Sequence, residues 1–358
     1  MPAVQQTIRY FTTSDGVRLA WATSGSGPPL IKAANWITHL EYDWESPVWR
    51  HWVAFLSRHF TTLRYDERGC GLSQRDVEDV SSATWPRDLE EVIEAAAPST
   101  PFVLLGISQG AVAAMAYAAR YPERVSHLII YGGYSRGWAV RGSADTLREG
   151  NALVDFTELG WGRPNPLYRR LLTLRFLPEG SEEQLRWMDE LCTRTVAPVM
   201  AARLLRSRGQ ADASPWMDQV RVPTLVLHAD KDLISPISEG QKIAAAIPTA
   251  QFVPLSSHNH ILLEDEPAWQ RFTEAVLEFT GVQAQAQDAR FDGLTARERE
   301  ILGRVCAGLT NVEIGQALFI SEKTVRNQLT RIFGKLGVAQ RAQAIAMARD
   351  LGFRDRQG

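Results

Sequence analysis

Short apolar runs alternate with helical stretches over the first 280 residues of the chain. Alternating apolar and polar positions predict an antiparallel hairpin from residues 7–12 and 17–23, joined by a turn at residues 14–16. Further strands are predicted at residues 30–34, 61–65, 102–107, 127–132, 224–228 and 251–255, and helices at residues 88–97 and 111–120. Strands that alternate with helices indicate an α/β fold with a mostly parallel sheet and helices on both faces.

Residues 134–214 interrupt this alternation. They predict helices at residues 181–197 and 198–207 and carry bulky apolar side chains: Trp138, Phe156, Trp161, Leu167 and Phe176. The segment therefore predicts a helical insertion between two strands. Its apolar residues, together with the eleven tryptophans of the chain, are typical either of a packed helical core or of a large aromatic chamber for a ligand.

The pattern changes again after residue 280. Residues 281–288 are of low complexity without an apolar period, which predicts a linker. Short helices follow, because Thr-x-x-Glu at residues 295–298 and 310–313 fits the capping box and Ser321 is a natural N-cap. In the helix after Ser321 the apolar residues recur every three or four positions and predict one buried stripe. This stripe consists of Val325, Leu329, Ile332 and Leu336.

Length and composition narrow the class of protein. A chain of 358 residues with 45% hydrophobic and 22% charged residues predicts a soluble globular protein of two domains. Without an apolar run near 20 residues or a basic, apolar N-terminal segment, we expect neither a membrane span nor a signal peptide. Three widely spaced cysteines favour a reducing cytoplasm. The sequence shows neither a metal-binding cluster nor a nucleotide loop, so we expect no metal and no cofactor.

The small net charge of −2 conceals an asymmetry along the chain. Twelve basic and eight acidic residues lie from position 288 onward, which leaves 27 basic and 33 acidic residues before it. The C-terminal part thus carries a net charge of +4 and the rest of the chain −6. A basic tail domain on an acidic body favours nucleic-acid contact by the tail.

A Gly-x-Ser-x-Gly segment at residues 106–110 joins an apolar strand to an Ala-rich helix. This strand–turn–helix context is typical of a nucleophile elbow that presents Ser108, although a Gly/Ser loop between core elements has the same composition. A serine hydroxyl needs an imidazole to take its proton and a carboxylate to orient that imidazole. The downstream candidates are His258 or His260 and Asp230 or Asp232.

Asp-x-Arg-Gly-x-Gly-x-Ser at residues 66–73, the elbow, and the order Ser, Asp, His resemble the α/β-hydrolase family over residues 7–280. The resemblance implies an α/β-hydrolase fold in which the insertion forms a helical cap. It also implies that Ser108 is the nucleophile, His260 the base and Asp232 the orienting carboxylate.

The oxyanion loop departs from that family. Where the family has His-Gly after the third strand, residues 32–36 contain Lys, Ala, Ala, Asn and Trp. The backbone N–H of Gln109 can donate one hydrogen bond to an oxyanion, and Asn35 or Trp36 would supply the second. Because losing one donor costs about 10² to 10³ in rate, the sequence leaves catalysis by the triad open.

Residues 294–302, 311–314, 321–327 and 335–338 are similar to the LuxR-type helix-turn-helix family over residues 292–352. By this resemblance the third helix enters the major groove of double-stranded DNA. Phosphate contacts are expected from Lys323 and Thr324, base contacts from Arg326, Asn327 and Thr330, and either kind from Arg331. The helix at residues 341–351 would form a homodimer, which predicts a pseudo-palindromic DNA site.

The sequence therefore predicts a hydrolase-like domain at residues 1–280 with a cap at about 134–214, a linker at 281–291 and a DNA-binding domain at 292–358. The predicted function is transcription regulation, with the hydrolase-like domain sensing a small apolar or ester- or lactone-like ligand. The alternative is a serine hydrolase of an ester or lactone to which a DNA-binding domain is appended.

Overall fold

The computed structural model describes residues 5–282, 291, 293–350 and 353. It divides into two compact units, Met1–Thr280 and Gly281–Gly358. The predicted linker at residues 281–291 lies for the most part outside the described residues. Among the helices described, none is long and apolar enough to cross a bilayer.

The first unit is built on an eight-stranded sheet. Its strands are β1 (Gln6–Thr12), β2 (Arg18–Ser24), β3 (Pro29–Lys32), β4 (Thr61–Tyr65), β5 (Phe102–Ile107), β6 (Val125–Tyr131), β7 (Thr224–Ala229) and β8 (Ala250–Leu255). They lie in the order β1-β2-β4-β3-β5-β6-β7-β8. The β1–β2 and β2–β4 pairs are antiparallel, and all other pairs are parallel. The mostly parallel sheet expected from the sequence is thus confirmed.

Helices cover the central strands. The helices of this unit are α1 (Tyr42–Glu45), α2 (Arg50–His59), α3 (Thr84–Ala96), α4 (Gly110–Arg120), α5 (Trp138–Arg141), α6 (Ala144–Gly160), α7 (Leu167–Phe176), α8 (Glu182–Thr195), α9 (Pro198–Gln210), α10 (Ser214–Met217), α11 (Ile237–Ala246) and α12 (Pro267–Thr280). Every residue of β5 and β7 is buried, which explains why neither strand alternates between apolar and polar residues.

Helices α5 to α9 form a cap between β6 and β7. Val154, Ala202 and Leu205 pack together as a small core within it, beside Trp138. The buried Trp161 donates its Nε1–H to the carbonyl oxygens of Cys192 and Val196, each 3.1 Å away. These contacts show that part of the cap's aromatic content serves its own packing.

The second unit contains α13 (Ala296–Cys306), α14 (Asn311–Leu318), α15 (Glu322–Leu336) and α16 (Arg341–Asp350). The two Thr-x-x-Glu segments form complete capping boxes at the starts of α13 and α14, and the Ser321 hydroxyl accepts from the Thr324 N–H. Val325, Leu329 and Ile332 are buried in one core with residues of the other three helices. The stripe is therefore the inner face of α15.

Candidate functional site

The elbow at Ser108 is a tight turn between β5 and α4. Ser108 adopts a left-handed backbone conformation with φ of +52°, which is costly for any residue other than glycine. A Cβ on Gly106 would lie 2.6 Å from the Ala111 Cα atom, and one on Gly110 would lie 2.9 Å from the Ala34 carbonyl oxygen. Both glycines are therefore required by close backbone approach, as the motif indicates.

The structure brings Asp232 and His260 together beside the elbow. The Nδ1 atom of His260 lies 2.6 Å from the Oδ2 atom of Asp232, and both side chains are buried. The Oδ1 atom of Asp232 accepts hydrogen bonds from the backbone N–H groups of Ile234, at 2.7 Å, and Ser235, at 3.1 Å. The carboxylate is thus fixed by the turn after β7, and it in turn fixes the imidazole ring.

Opposing effects act on the Asp232 carboxyl. Burial by itself raises its pKa, but the charge and hydrogen bond of His260 outweigh this, and the pKa lies below its usual value. A lowered pKa keeps Asp232 ionised at neutral pH. An ionised Asp232 is the form that stabilises an imidazolium when His260 takes up a proton.

Ser108 and His260 line one small cavity. The Ser108 Oγ and His260 Nε2 atoms are both buried, and neither has a hydrogen-bond partner among the described protein atoms. The free space beside them is about 10 Å³, enough for about one water molecule. The lining residues are Asn35, Trp36, Ile37, Trp49, Ile107, Ser108, Phe176, Met188, His260 and Ile261. In the described part of the chain, the large aromatic or apolar chamber that the tryptophan content suggested is therefore not present beside Ser108. A larger and more open cavity of about 590 Å³ lies elsewhere in the described residues, lined by Gln6, His39, Glu41, Tyr42, Trp44, Glu45 and Arg194.

The alternative carboxylate and imidazole lie elsewhere. Asp230 accepts from the Ser257 N–H at 3.1 Å and is exposed. The His258 side chain is also exposed, and its Nε2 atom lies 3.0 Å from the Lys231 Nζ atom. Neither residue lines the Ser108 cavity. The geometry therefore favours Asp232 and His260.

Gly132 is a further residue on which the catalytic geometry depends. Its backbone has φ of +58°, and a Cβ there would lie 3.1 Å from the His260 Cε1 atom. The glycine at the end of β6 thus leaves space for the imidazole. The sequence analysis missed this role, since a glycine at a strand end has many ordinary uses.

The side chain of Asn35 forms its hydrogen bonds within the oxyanion loop. The Asn35 Oδ1 atom accepts from the Lys32 ammonium, and the Asn35 Nδ2 atom donates to the Trp36 carbonyl oxygen at 3.3 Å. The Asn35 amide group is therefore occupied within the loop. The donors left for an oxyanion are the backbone N–H groups of Asn35 and Trp36 and the Trp36 Nε1–H, which is buried without a hydrogen-bond partner in the described protein. Ile37 follows with φ of +56°, a strained conformation for a β-branched residue.

A cluster of buried charges lies behind this loop. Lys32, Asp43, Arg64 and Asp66 line a second cavity of about 10 Å³. Burial lowers the pKa of Lys32 to about 7, with a further contribution from the Arg64 charge. Burial also raises the pKa of Asp43 to about 7. Because Lys32 holds Asn35, the conformation of the oxyanion loop is linked to this cluster.

A second polar cluster lies on the other side of the elbow, and the sequence analysis missed it. The Gln109 Nε2–H donates to the Glu67 Oε1 atom at 2.8 Å. The Glu67 Oε2, Gln109 Oε1, Tyr134 hydroxyl and Arg208 Nε atoms are buried without a hydrogen-bond partner in the described protein. Burial raises the pKa of Glu67 to about 8. Groups of this kind usually bind a ligand or water.

The six residues predicted to contact DNA all lie on the outer face of α15. Lys323, Thr324, Arg326, Asn327, Thr330 and Arg331 are exposed. The Arg326 Nη2 atom lies 2.8 Å from the Glu322 Oε1 atom, and both side chains are largely solvated. Such an exposed pair contributes little to stability, so Arg326 can leave it for another acceptor at low cost.

The described residues contain no group of three or more His, Cys, Asp or Glu side chains placed to hold a metal ion. Cys70 and Cys192 are buried free thiols and Cys306 is an exposed one.

Two families match the chain in separate segments. Residues 50–266 match the family described as Serine aminopeptidase, S33, and residues 292–348 match Bacterial regulatory proteins, luxR family. Solved structures similar to this chain include a hydrolase from Pseudomonas aeruginosa PA01, with a TM-score of 0.63, 23% identity, and coverage of 77% of this chain and 98% of that one. An esterase from Exiguobacterium antarcticum has a TM-score of 0.62, 21% identity, and coverage of 75% and 98%. These likenesses support the fold alone.

Curated relatives also match one unit each. The chain is 27% identical over 245 residues to pimeloyl-[acyl-carrier protein] methyl ester esterase of Nitrosomonas europaea, covering 64% of this chain and 88% of that protein. It is 44% identical over 68 residues to the DNA-binding transcriptional activator DevR/DosR of Mycobacterium tuberculosis, covering 19% of this chain and 31% of that protein. The match thus spans about a third of that activator. The predicted α/β-hydrolase fold and LuxR-type helix-turn-helix domain are both confirmed.

Proposed function

Since the chain belongs to the serine aminopeptidase S33 family and carries a luxR-family DNA-binding domain, we propose that it is a cytoplasmic transcription regulator whose α/β-hydrolase unit senses a small molecule. The observation that carries this proposal is the exposed basic and amide-bearing face of α15 on a luxR-family domain. The hydrolase fold hosts many functions, whereas the luxR-family domain supports one class of activity.

The proposed mode of DNA binding follows from the two faces of α15. The inner face is held by the unit's core, which leaves the exposed face free to enter a major groove. In the proposal, Lys323 and Thr324 contact phosphates, Arg326, Asn327 and Thr330 reach base edges, and Arg331 contacts either. A homodimer formed through α16 would place two such helices on half-sites about one helical turn apart.

The proposed sensing site is the buried region around Ser108, and because its free space of about 10 Å³ holds only about one water molecule, the proposal requires the cap to move when a ligand binds. The unpartnered polar atoms there are suited to an ester- or lactone-like ligand, and Trp36 and Phe176 supply apolar contact. The cap is joined to the His260 loop, because the His260 N–H donates to the Phe176 carbonyl oxygen at 2.9 Å and the Glu179 N–H donates to the Asn259 Oδ1 atom at 3.1 Å. A ligand that binds one cap position better than another would shift the population between them.

A second candidate function, hydrolysis of an ester or lactone, is favoured by the assembled Asp232–His260 pair beside Ser108. The Ser108 Oγ would attack the carbonyl carbon while His260 takes the hydroxyl proton. The backbone N–H of Gln109, which has no acceptor among the described residues, would bind the oxyanion. The proton then passes to the leaving alkoxide, and water releases the acyl group by the same steps.

DNA binding is tested by selecting the full-length protein against random duplex DNA. We expect enrichment of an inverted repeat, with an affinity that falls steeply as salt rises because phosphate contacts release counterions. Enrichment of a single half-site would remove the dimer from the proposal. If no preferred sequence were recovered, the proposal that the protein is a transcription regulator would be contradicted.

The role of Ser108 is tested with a fluorophosphonate probe and the Ser108→Ala variant. Labelling of the wild type but not the variant would show an activated nucleophile. Small esters and lactones that raise the melting temperature of the wild type are then added to DNA-binding assays of both proteins. If the ligand still changes DNA binding by Ser108→Ala, the protein senses the ligand without chemistry. If the ligand changes DNA binding by the wild type but not by Ser108→Ala, turnover of the ligand is part of the signal.

A further inference from the structure

One side of α9 packs on the loop at residues 66–73 and ends in a buried arginine. Met200 and Leu204 lie beside Gly69, because a Cβ there would be 3.1 Å from the Met200 Cγ atom and 3.8 Å from the Leu204 Cδ1 atom. Arg208 is the next residue at the same helical spacing, and only 7% of it is exposed. An apolar residue would continue this stripe without the cost of burying a charge.

The guanidinium of Arg208 lies against the aromatic wall of the Ser108 cavity. Its Cζ atom is 4.9 Å from the centre of the Trp36 ring and 5.9 Å from that of the Phe176 ring. The two rings are stacked at 5.6 Å, and both line the cavity with Ser108 and His260. Arg208 does not itself line this cavity, but its cation contacts two of the aromatic residues that do.

Arg208 has no ionic partner in the described part of the chain. No described carboxylate oxygen lies within 4.0 Å of its guanidinium nitrogens, and its Nε atom has no hydrogen-bond partner. The Tyr134 hydroxyl and the Glu67 carboxyl are the groups that favour its charge, while burial opposes it. A buried charge without a close counter-charge is costly to the folded protein.

Glu67 does not neutralise Arg208 at neutral pH. Burial raises the pKa of Glu67 to about 8, so its carboxyl is mostly protonated there. Its Oε1 atom accepts from the Gln109 Nε2–H, and its Oε2 atom is free of protein partners. The site therefore presents a guanidinium next to neutral polar groups, a combination suited to an anion.

We propose that Arg208 binds a carboxylate of the ligand, so that the molecule recognised beside Ser108 is an acyl ester or lactone with a second, anionic end. This inference rests on the proposed function, that the site binds a small molecule. The planar guanidinium matches a carboxylate through two parallel N–H···O bonds, and the Trp36 and Phe176 rings lie beside it. The apolar rings would contact the carbon chain between the ester and the carboxylate.

The test compares monoethyl and diethyl esters of succinic, adipic and suberic acids as probes of full-length protein by calorimetric titration. Each pair differs in one ionised carboxylate. We expect the best monoester to bind at least about tenfold more tightly than its diester, since a charged hydrogen-bonded pair is lost in the diester. Equal affinities would overturn the role of Arg208 and leave small-molecule sensing intact. Binding of neither series would overturn both the ligand class and the proposed pocket.

Three variants test whether Arg208 causes the preference for the monoester over the diester. Arg208→Gln should bind the two esters equally, and Arg208→Lys should keep part of the preference because it retains the charge. Arg206→Gln is the matched control, since Arg206 lies on the same helix, is half exposed and pairs with Glu158. A preference that survives in Arg208→Gln would overturn the assignment. If that variant does not fold, the wild-type comparison of monoester with diester still decides.

Discussion

Helices α9 and α15 both carry polar side chains at helical spacing, but in opposite environments. In α15 the buried stripe is wholly apolar, with Val325, Leu329 and Ile332 in the core, and the polar side chains are exposed. In α9 the buried stripe itself ends in a charge, at Arg208. Under the proposed functions, a helix that binds an external partner keeps an apolar core face, whereas a helix that binds an enclosed ligand places a polar group inside the protein.

This difference has an energetic consequence. Exposed side chains of α15 keep their solvation in the free protein, so their recognition role costs the fold little. The groups around the elbow are desolvated, and the raised pKa of Glu67 is one measure of that cost. Substitutions in the buried site should therefore alter stability as well as function, whereas those on α15 should alter DNA binding alone.

The largest effect is expected from Gly132→Ala, which acts on the buried site only. The new Cβ would lie 3.1 Å from the His260 Cε1 atom and would displace the imidazole. A displacement of this kind can cost about 10²-fold in rate, measured here as fluorophosphonate labelling of Ser108. Gly16→Ala is the matched control, since Gly16 also has a positive φ but has no atom within 4 Å of the new methyl group. Equal loss in both variants would assign the effect to backbone strain rather than to His260.

A smaller effect is expected from Arg326→Ala on the exposed face. Loss of one base contact typically costs about 1 to 3 kcal/mol, so binding to the selected DNA site should weaken about 10- to 100-fold. Sequence preference should relax at one position, while the melting temperature should stay unchanged. Lys323→Ala removes the same charge from the same face and should weaken binding evenly across sequences. If Arg326→Ala also lost affinity equally for all DNA sequences, Arg326 would contact a phosphate rather than a base.

Local patterns were enough to predict α15 and the elbow. The capping boxes, the apolar stripe and the Gly-x-Ser-x-Gly turn are each fixed by residues within a few positions of one another, and their structures follow from short-range sterics and hydrogen bonds. The β1–β2 hairpin was predictable for the same reason. The pair formed by Asp232 and His260 needed the family resemblance, because 28 positions separate them.

The second polar cluster was beyond prediction because tertiary packing creates it. Glu67 and Arg208 are ordinary charges in the sequence, and only the approach of the cap to the elbow buries them. The tryptophan content did not predict the size of the Ser108 cavity, for a related reason. Trp52 and Trp269 pack with Phe272 in the core, and Trp161 packs within the cap, so aromatic content gave no measure of cavity size.

The buried Glu67 predicts a pH-dependent gain in stability for Glu67→Gln. The unfolded chain releases the Glu67 proton near pH 4.5, whereas the folded protein keeps it until about pH 8. Wild-type stability therefore falls relative to the variant as pH rises between these values, and the difference then levels off. We expect the gain to grow by on the order of 1 kcal/mol for each pH unit between about pH 5 and pH 7, measured by urea unfolding. Glu123→Gln, at an exposed position, is the control, and a pH-independent difference for Glu67→Gln would contradict the burial argument.

The smallest effect is expected in the second unit, at the turn between α14 and α15. Phe319 has a left-handed backbone with φ of +55° and is 96% exposed, so its ring contributes almost no packing. Glycine adopts this conformation without the steric cost but loses more chain entropy on folding. Phe319→Gly should therefore stabilise this unit by about 0.5 kcal/mol and leave affinity for the selected DNA unchanged. A loss of stability would show that the Phe319 ring packs in solution, and a loss of affinity alone would add this turn to the surface that contacts DNA.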